Sequence, residues 1–73
     1  MVRRKTEYLT DTQERIFRVI RLAITDEGDA PTVAEIAAQV GLRPSSVHYQ
    51  LRELEAKGAI VRQPHRPRGI RLA

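Results

Sequence analysis

Apolar side chains recur at three- and four-residue intervals along three stretches of the chain, and in alternation along two shorter ones near its end. The first set, Ile16, Phe17, Ile20, Ala23 and Ile24, falls on one side of a helix, with Glu14, Arg15, Arg18 and Arg21 on the other. Ahead of it, Thr10-Asp11-Thr12-Gln13 has the form of a capping box, in which the threonine hydroxyl accepts from an early amide while Gln13 reaches back. The helix is therefore expected to begin at Asp11. Gly28 suits its end, because glycine accepts the left-handed conformation found there. Phe17, the only phenylalanine, is the expected core anchor. Leu22 falls toward the polar flank, where it would be partly exposed and available to a partner.

Thr32-Val33-Ala34-Glu35 is a second capping box, and Val33, Ile36, Ala37 and Val40 supply an apolar face before Gly41 stops the helix. At about two turns this helix would be marginal alone, so its neighbours must hold it. Before it, Ala30-Pro31 reads as a short extended link, with room for a short extra strand near 30–32. The third set, Val47, Leu51 and Leu54, is the buried seam of a helix over 44–57, with Pro44 at a first position where its missing amide costs nothing. Arg43 stands where a serine, threonine or aspartate cap is expected. Either Ser45 or Ser46 takes over the capping, or Arg43 is placed for its charge. Turned about 100° per residue from the seam, Ser45, Ser46, His48, Tyr49 and Arg52 present donors, acceptors and a cation outward.

A short helix, a glycine turn and a second helix with a polar face make a helix-turn-helix, and small Ala37 and Ala38 let its helices approach closely. After Gly58, Ala59-Ile60-Val61-Arg62-Gln63 and Gly69-Ile70-Arg71-Leu72 read as strands joined by Pro64-His65-Arg66-Pro67-Arg68. Ile60, Ile70 and Leu72 would close the core. The expected fold is mostly α with a small β-hairpin: a winged helix-turn-helix of three helices, a strand, a wing and a strand.

The net charge of +4 changes this picture through its position. All nine acidic side chains lie within residues 1–55, whereas 56–73 carry Lys57, Arg62, Arg66, Arg68 and Arg71 and no acid. A one-sided basic end is an electrostatic footprint for a polyanion, or a solubilising tail. With 73 residues the chain is expected to form one small domain, 9–73, behind a flexible basic arm over 1–8. So small a domain is unlike one that holds a deep enzymatic cleft. The chain has no cysteine, and His48 and His65 lack ligand spacing, so no metal or cofactor is expected. No apolar run approaches a membrane span, and Met1-Val2-Arg3-Arg4-Lys5 has no hydrophobic segment behind its charges, so the expected place is the cytoplasm, on the nucleoid.

Leu9-Thr10 with the helix from Ile16 to Gly28, Pro31-Thr32-x-x-Glu35-Ile36-Ala37, Leu51-x-x-Leu54-x-x-Lys57-Gly58 and Arg68-Gly69-Ile70-Arg71-Leu72 together resemble the N-terminal DNA-binding domain of LexA repressors. The wing Arg62-Gln63-Pro64-His65-Arg66-Pro67-Arg68 looks most like the actinobacterial members. The likeness covers about residues 9–72. It implies that the second helix of the motif enters the major groove of operator DNA, that the wing 62–69 lies along the adjacent backbone or minor groove, and that the protein is a bacterial transcription regulator that represses. Between Gly41 and Leu51 the chain is one residue shorter than typical LexA proteins, which puts an SOS-type operator in doubt. The family's Ser-Lys peptidase and dimerisation domain has no counterpart here, so autoproteolysis is not expected.

On this reading Ser45, Ser46, His48 and Tyr49 are candidates for base-edge or backbone contact, and Arg43 and Arg52 for guanine or phosphate. In the wing, Arg62, Arg66 and Arg68 are candidates for phosphate or minor-groove contact, with His65 at the tip. Were about six cations to meet phosphates, log affinity would fall with log salt at a slope of about −5. A Ser-His pair from Ser45 or Ser46 with His48 has nothing to orient its base and no oxyanion hole, so no enzyme is expected. The expected partner is double-stranded DNA, as a palindromic operator in keeping with the two-fold operators of the family, met by a monomer in solution that pairs only on DNA. Two alternatives remain: a protein-interaction winged helix with an acidic partner, and the excised DNA-binding part of a longer LexA-like repressor.

Overall fold

The computed structural model describes residues 9–73, and the expected basic arm over 1–8 lies outside the described residues. Three helices, α1 (Asp11–Glu27), α2 (Val33–Val40) and α3 (Pro44–Ala56), precede two strands, β1 (Ile60–Arg62) and β2 (Ile70–Leu72). The strands pair antiparallel, with Ile60 opposite Leu72, Val61 opposite Arg71 and Arg62 opposite Ile70. This is the winged helix-turn-helix arrangement.

Both capping boxes form. Thr10 Oγ1 accepts from the Gln13 amide at 3.2 Å while Gln13 Oε1 accepts from the Thr10 amide at 3.1 Å, and Thr32 and Glu35 repeat the exchange at 3.1 and 2.9 Å. Arg43 is the N-cap of α3 and its side chain makes no capping hydrogen bond. At the other end of α3 the Gly58 amide donates to the Glu55 carbonyl, and the Gly58 φ of 80° turns the chain so that the Ala59 amide reaches the carbonyl of Leu54.

The core is built where the three helical seams meet the hairpin: Ile16 and Ile20 from α1, Ile36, Ala37 and Val40 from α2, Val47, Leu51 and Leu54 from α3, and Ala59, Ile60 and Ile70 below them. Removing each large aliphatic chain among them from water stabilises the fold by about 1.5–3 kcal/mol. Phe17 is not the core anchor. It is only partly buried at the edge, with the Arg21 guanidinium 5.7 Å from its ring centroid, because Ile16 and Ile20 hold the inward direction and Phe17 lies one residue's turn beyond them. Leu22 is 49% exposed, in keeping with its flanking position.

Leu72 does not close the core either. It is exposed on the outer strand of the hairpin, beside the groove that Ile24, Gly28 and Ala30 help to line. No strand forms at 30–32, and the reason is the fate of its backbone groups. Pro31 has no amide to offer. The Thr32 amide donates to Glu35, the Ala30 amide to Asp29 Oδ1 at 3.0 Å, and the Ala30 carbonyl accepts from Arg68 at 3.0 Å. Side chains have taken the groups a ladder would use.

Candidate nucleic-acid interface

Burial of Val47, Leu51 and Leu54 fixes which side of α3 faces outward. Ser45, Tyr49 and Arg52 then fall within about 60° of one another on the exposed face, spread over about 10 Å of helix axis. His48 is exposed on the flank toward the wing, while Ser46 lies on the opposite flank and is only partly exposed. Arg43 is exposed at the head of the helix. Five of the six candidates on this helix are therefore open to a ligand, and Ser46 less so.

The position of α3 is also set by a polar link that the sequence reading missed. Gln13 is buried, at 4% exposure, and reaches across from the start of α1 to α3. Its Nε2 donates to Gln50 Oε1 at 3.0 Å, and its Oε1 accepts from Lys57 Nζ at 2.7 Å as well as from Thr10. One buried amide thus ties the middle of α3, at Gln50, and its C-cap, at Lys57, to the capping box of α1. The signal was present, since Gln13 precedes Ile16, Ile20 and Ile24 at intervals of three, four and four, a polar residue on an apolar seam. Arg15 makes a second tie by donating to the Val40 carbonyl at 2.9 Å, which satisfies a free group at the end of α2.

In the wing, Arg62 is partly buried and His65 and Arg66 are exposed. Pro64 followed by His65, whose φ is 66°, meets the demand of a type II turn for a left-handed second central residue. The structure brings His48, Arg62 and Arg66 together along one groove of about 310 Å³, whose other wall is the start of α2 at Thr32, Val33 and Ala34. Arg68 is placed differently. Its Nη1 and Nη2 bond the two oxygens of Glu35 at 2.9 Å each, and Nη1 also donates to the Ala30 carbonyl at 3.0 Å. Held by the Arg68 guanidinium and by the Thr32 amide, the Glu35 carboxyl is lowered from 4.5 to about 2. Glu35, which the sequence offered only as a helix cap, is thereby also a wing residue.

Among the described residues no group of three or more His, Cys, Asp or Glu could hold a metal ion. No described helix is long and apolar enough to cross a membrane. What the arrangement offers is a helix with a polar outer stripe and an arginine groove beside it, which suits a polyanion of regular shape.

The family model for the LexA DNA binding domain matches residues 6–69. The chain belongs to this family. It is 47% identical over 70 residues to the LexA repressor of Magnetococcus marinus, covering 96% of this chain and 30% of that protein. To the LexA repressor of Mycobacterium leprae it is 48% identical over 65 residues, covering 88% of this chain and 28% of the relative. The LexA repressor of Corynebacterium efficiens is 48% identical over 63 residues, or 85% and 27% of the two chains. The chain thus spans less than a third of the length of these relatives. The match to the family takes in the whole helix-turn-helix and the wing as far as Gly69.

Proposed function

We propose that this chain binds double-stranded DNA sequence-specifically and acts as a transcriptional repressor in the bacterial cytoplasm, on the nucleoid. In this reading α3 lies in the major groove. Arg43 and Arg52 meet guanine or phosphate, and Ser45, Ser46, His48 and Tyr49 meet base edges or the backbone. Arg62, His65 and Arg66 follow the adjacent backbone or minor groove. The observation that carries the reading is the outward surface formed by the α3 stripe and the groove of His48, Arg62 and Arg66, with no acidic residue in the chain segment 56–73. Membership of the LexA DNA-binding domain family points the same way.

Occupying a promoter is the simplest action open to such a surface. The operator is palindromic, and the chain is a monomer that pairs only when two copies sit on its halves. The test is a binding-site selection with this chain, followed by affinity measured against salt and sedimentation with and without the selected duplex. Four arginines on this surface, Arg43, Arg52, Arg62 and Arg66, set a slope of log affinity on log salt of about −3.6. A flat dependence would defeat the DNA reading, and a stable dimer without DNA would defeat the pairing.

A further inference from the structure

We infer that Arg68 is a positioning residue rather than a DNA contact: through its pair with Glu35 it sets the angle at which the wing presents Arg62 and Arg66, an inference that rests on the DNA-binding reading above. Both terminal nitrogens of Arg68 are engaged, in parallel on the two Glu35 oxygens and on the Ala30 carbonyl. Three of the five guanidinium N–H groups are thus committed inside the fold, and swinging the side chain away to follow a phosphate would give up those three bonds. The pair therefore fastens the end of the wing to the link before α2 and to the first turn of α2, where a third strand would otherwise hold the hairpin.

The neighbouring backbone makes that fastening effective. A Cβ on Gly69 would stand 2.5 Å from the Gln63 carbonyl oxygen, so the chain closes on itself here with no space for a side chain. The Gln63 amide donates to the Gly69 carbonyl at 2.7 Å, and the Gly69 amide to the Arg66 carbonyl at 3.2 Å. The segment from Gln63 to Gly69 is thus one closed unit. Arg62 enters it and Arg66 lies within it, and Arg68 anchors it.

The two roles for Arg68 predict opposite signs. If Arg68 met a phosphate, the Glu35 carboxylate would compete with DNA, and its neutralisation would strengthen binding and steepen the salt dependence. If Arg68 positions the wing, the same change weakens binding. Glu35→Gln is the suitable variant, because a glutamine oxygen still accepts from the Thr32 amide and α2 keeps its cap. Arg68→Ala, Arg62→Ala and the double variant of the two complete the set, all in the full chain and measured on the duplex selected by the parent.

Binding by Glu35→Gln and by Arg68→Ala is expected to weaken about fivefold, the upper range for an exposed ion pair, with the salt slope unchanged. Arg62→Ala is expected to cost less in the Arg68→Ala background than alone, because a misaimed wing has already lost part of that contact. In the DNA-free protein, amide signals of residues 62–66 should shift and exchange faster in Arg68→Ala while those of α1 stay fixed. Tighter binding by Glu35→Gln, a slope made shallower by about 0.9 in Arg68→Ala, or unmoved wing amides would each overturn the inference. A parent chain that retained no duplex would instead overturn the DNA reading, with the amide signals still deciding whether Arg68 holds the wing.

Discussion

α3 and the wing flank the same groove, yet they are held in place by different means. Val47, Leu51 and Leu54 seat α3 with no exposed surface left on any of them, and the buried Gln13 fixes its rotation. The wing has Ile60 and Ile70 at its base, but beyond them it relies on a backbone closure and on one ion pair whose side chains are 45% and 46% exposed. Apolar burial responds little to salt or acid, whereas an exposed ion pair weakens under both. The stripe on α3 is consequently a stiff element and the wing a trimmable one. Affinity contributed by the wing should vary with conditions more than sequence preference set by α3.

The largest break in this comparison is expected from Leu51→Ala, which empties the centre of the seam. A cost of about 2–5 kcal/mol in urea unfolding is expected, with the hairpin and helices lost together, since both pack on one core. Gln13→Ala comes next. It removes the hydrogen bonds that link Gln50 and Lys57 to α1, at about 1–3 kcal/mol for two part-buried hydrogen bonds of which one is to a charged group. Selectivity among duplexes should suffer more than the salt slope, because α3 turns while the wing charges remain. An equal loss on selected and random DNA would show that Gln13 serves stability alone.

The elements that were legible in the sequence are those whose causes are local. Thr10 to Gln13 and Thr32 to Glu35 carry their own capping chemistry, and Pro44, Gly41 and Gly58 mark ends through backbone preferences that need no tertiary partner. The exposed stripe of α3 followed from the Val47, Leu51 and Leu54 seam by angle alone. Phe17 is large, but helical angle and not size sets the inward direction, and that direction belongs to Ile16 and Ile20. Leu72 and the strand near 30–32 depended on what faces them across the fold. Arg68 was legible as a charge but not as a bond, since Glu35 lies 33 residues away and periodicity says nothing of such a pairing.

A smaller, local effect is expected from Gly69→Ala. The added Cβ meets the Gln63 carbonyl, a backbone atom that cannot swing aside as a side-chain end would, so Gln63 and Gly69 must separate. Overpacking of this kind costs about 1–3 kcal/mol, and here most of it should appear as wing displacement rather than global unfolding. The amides of 62–66 should move while α1 keeps its melting midpoint. If both change together, the wing is not a separable unit and the contrast with α3 is weaker than drawn.

The smallest effect is the acid response of the wing. Glu35 is ionised in the folded chain down to about pH 2 and ordinarily titrates at 4.5. Its folded value is depressed, so the stability it contributes is fully present above about 4.5 and is lost as pH falls through 2. Solvent screening of so exposed a pair keeps that contribution modest. The wing amides of the DNA-free chain should therefore hold steady through neutral and mildly acid conditions and shift only as pH approaches about 2, while the amides of α3 beside Leu51 do not follow. In Glu35→Gln that transition should vanish. A wing that titrated identically in both proteins would mean that some other carboxylate governs it, and that Arg68 does not hold the wing through Glu35.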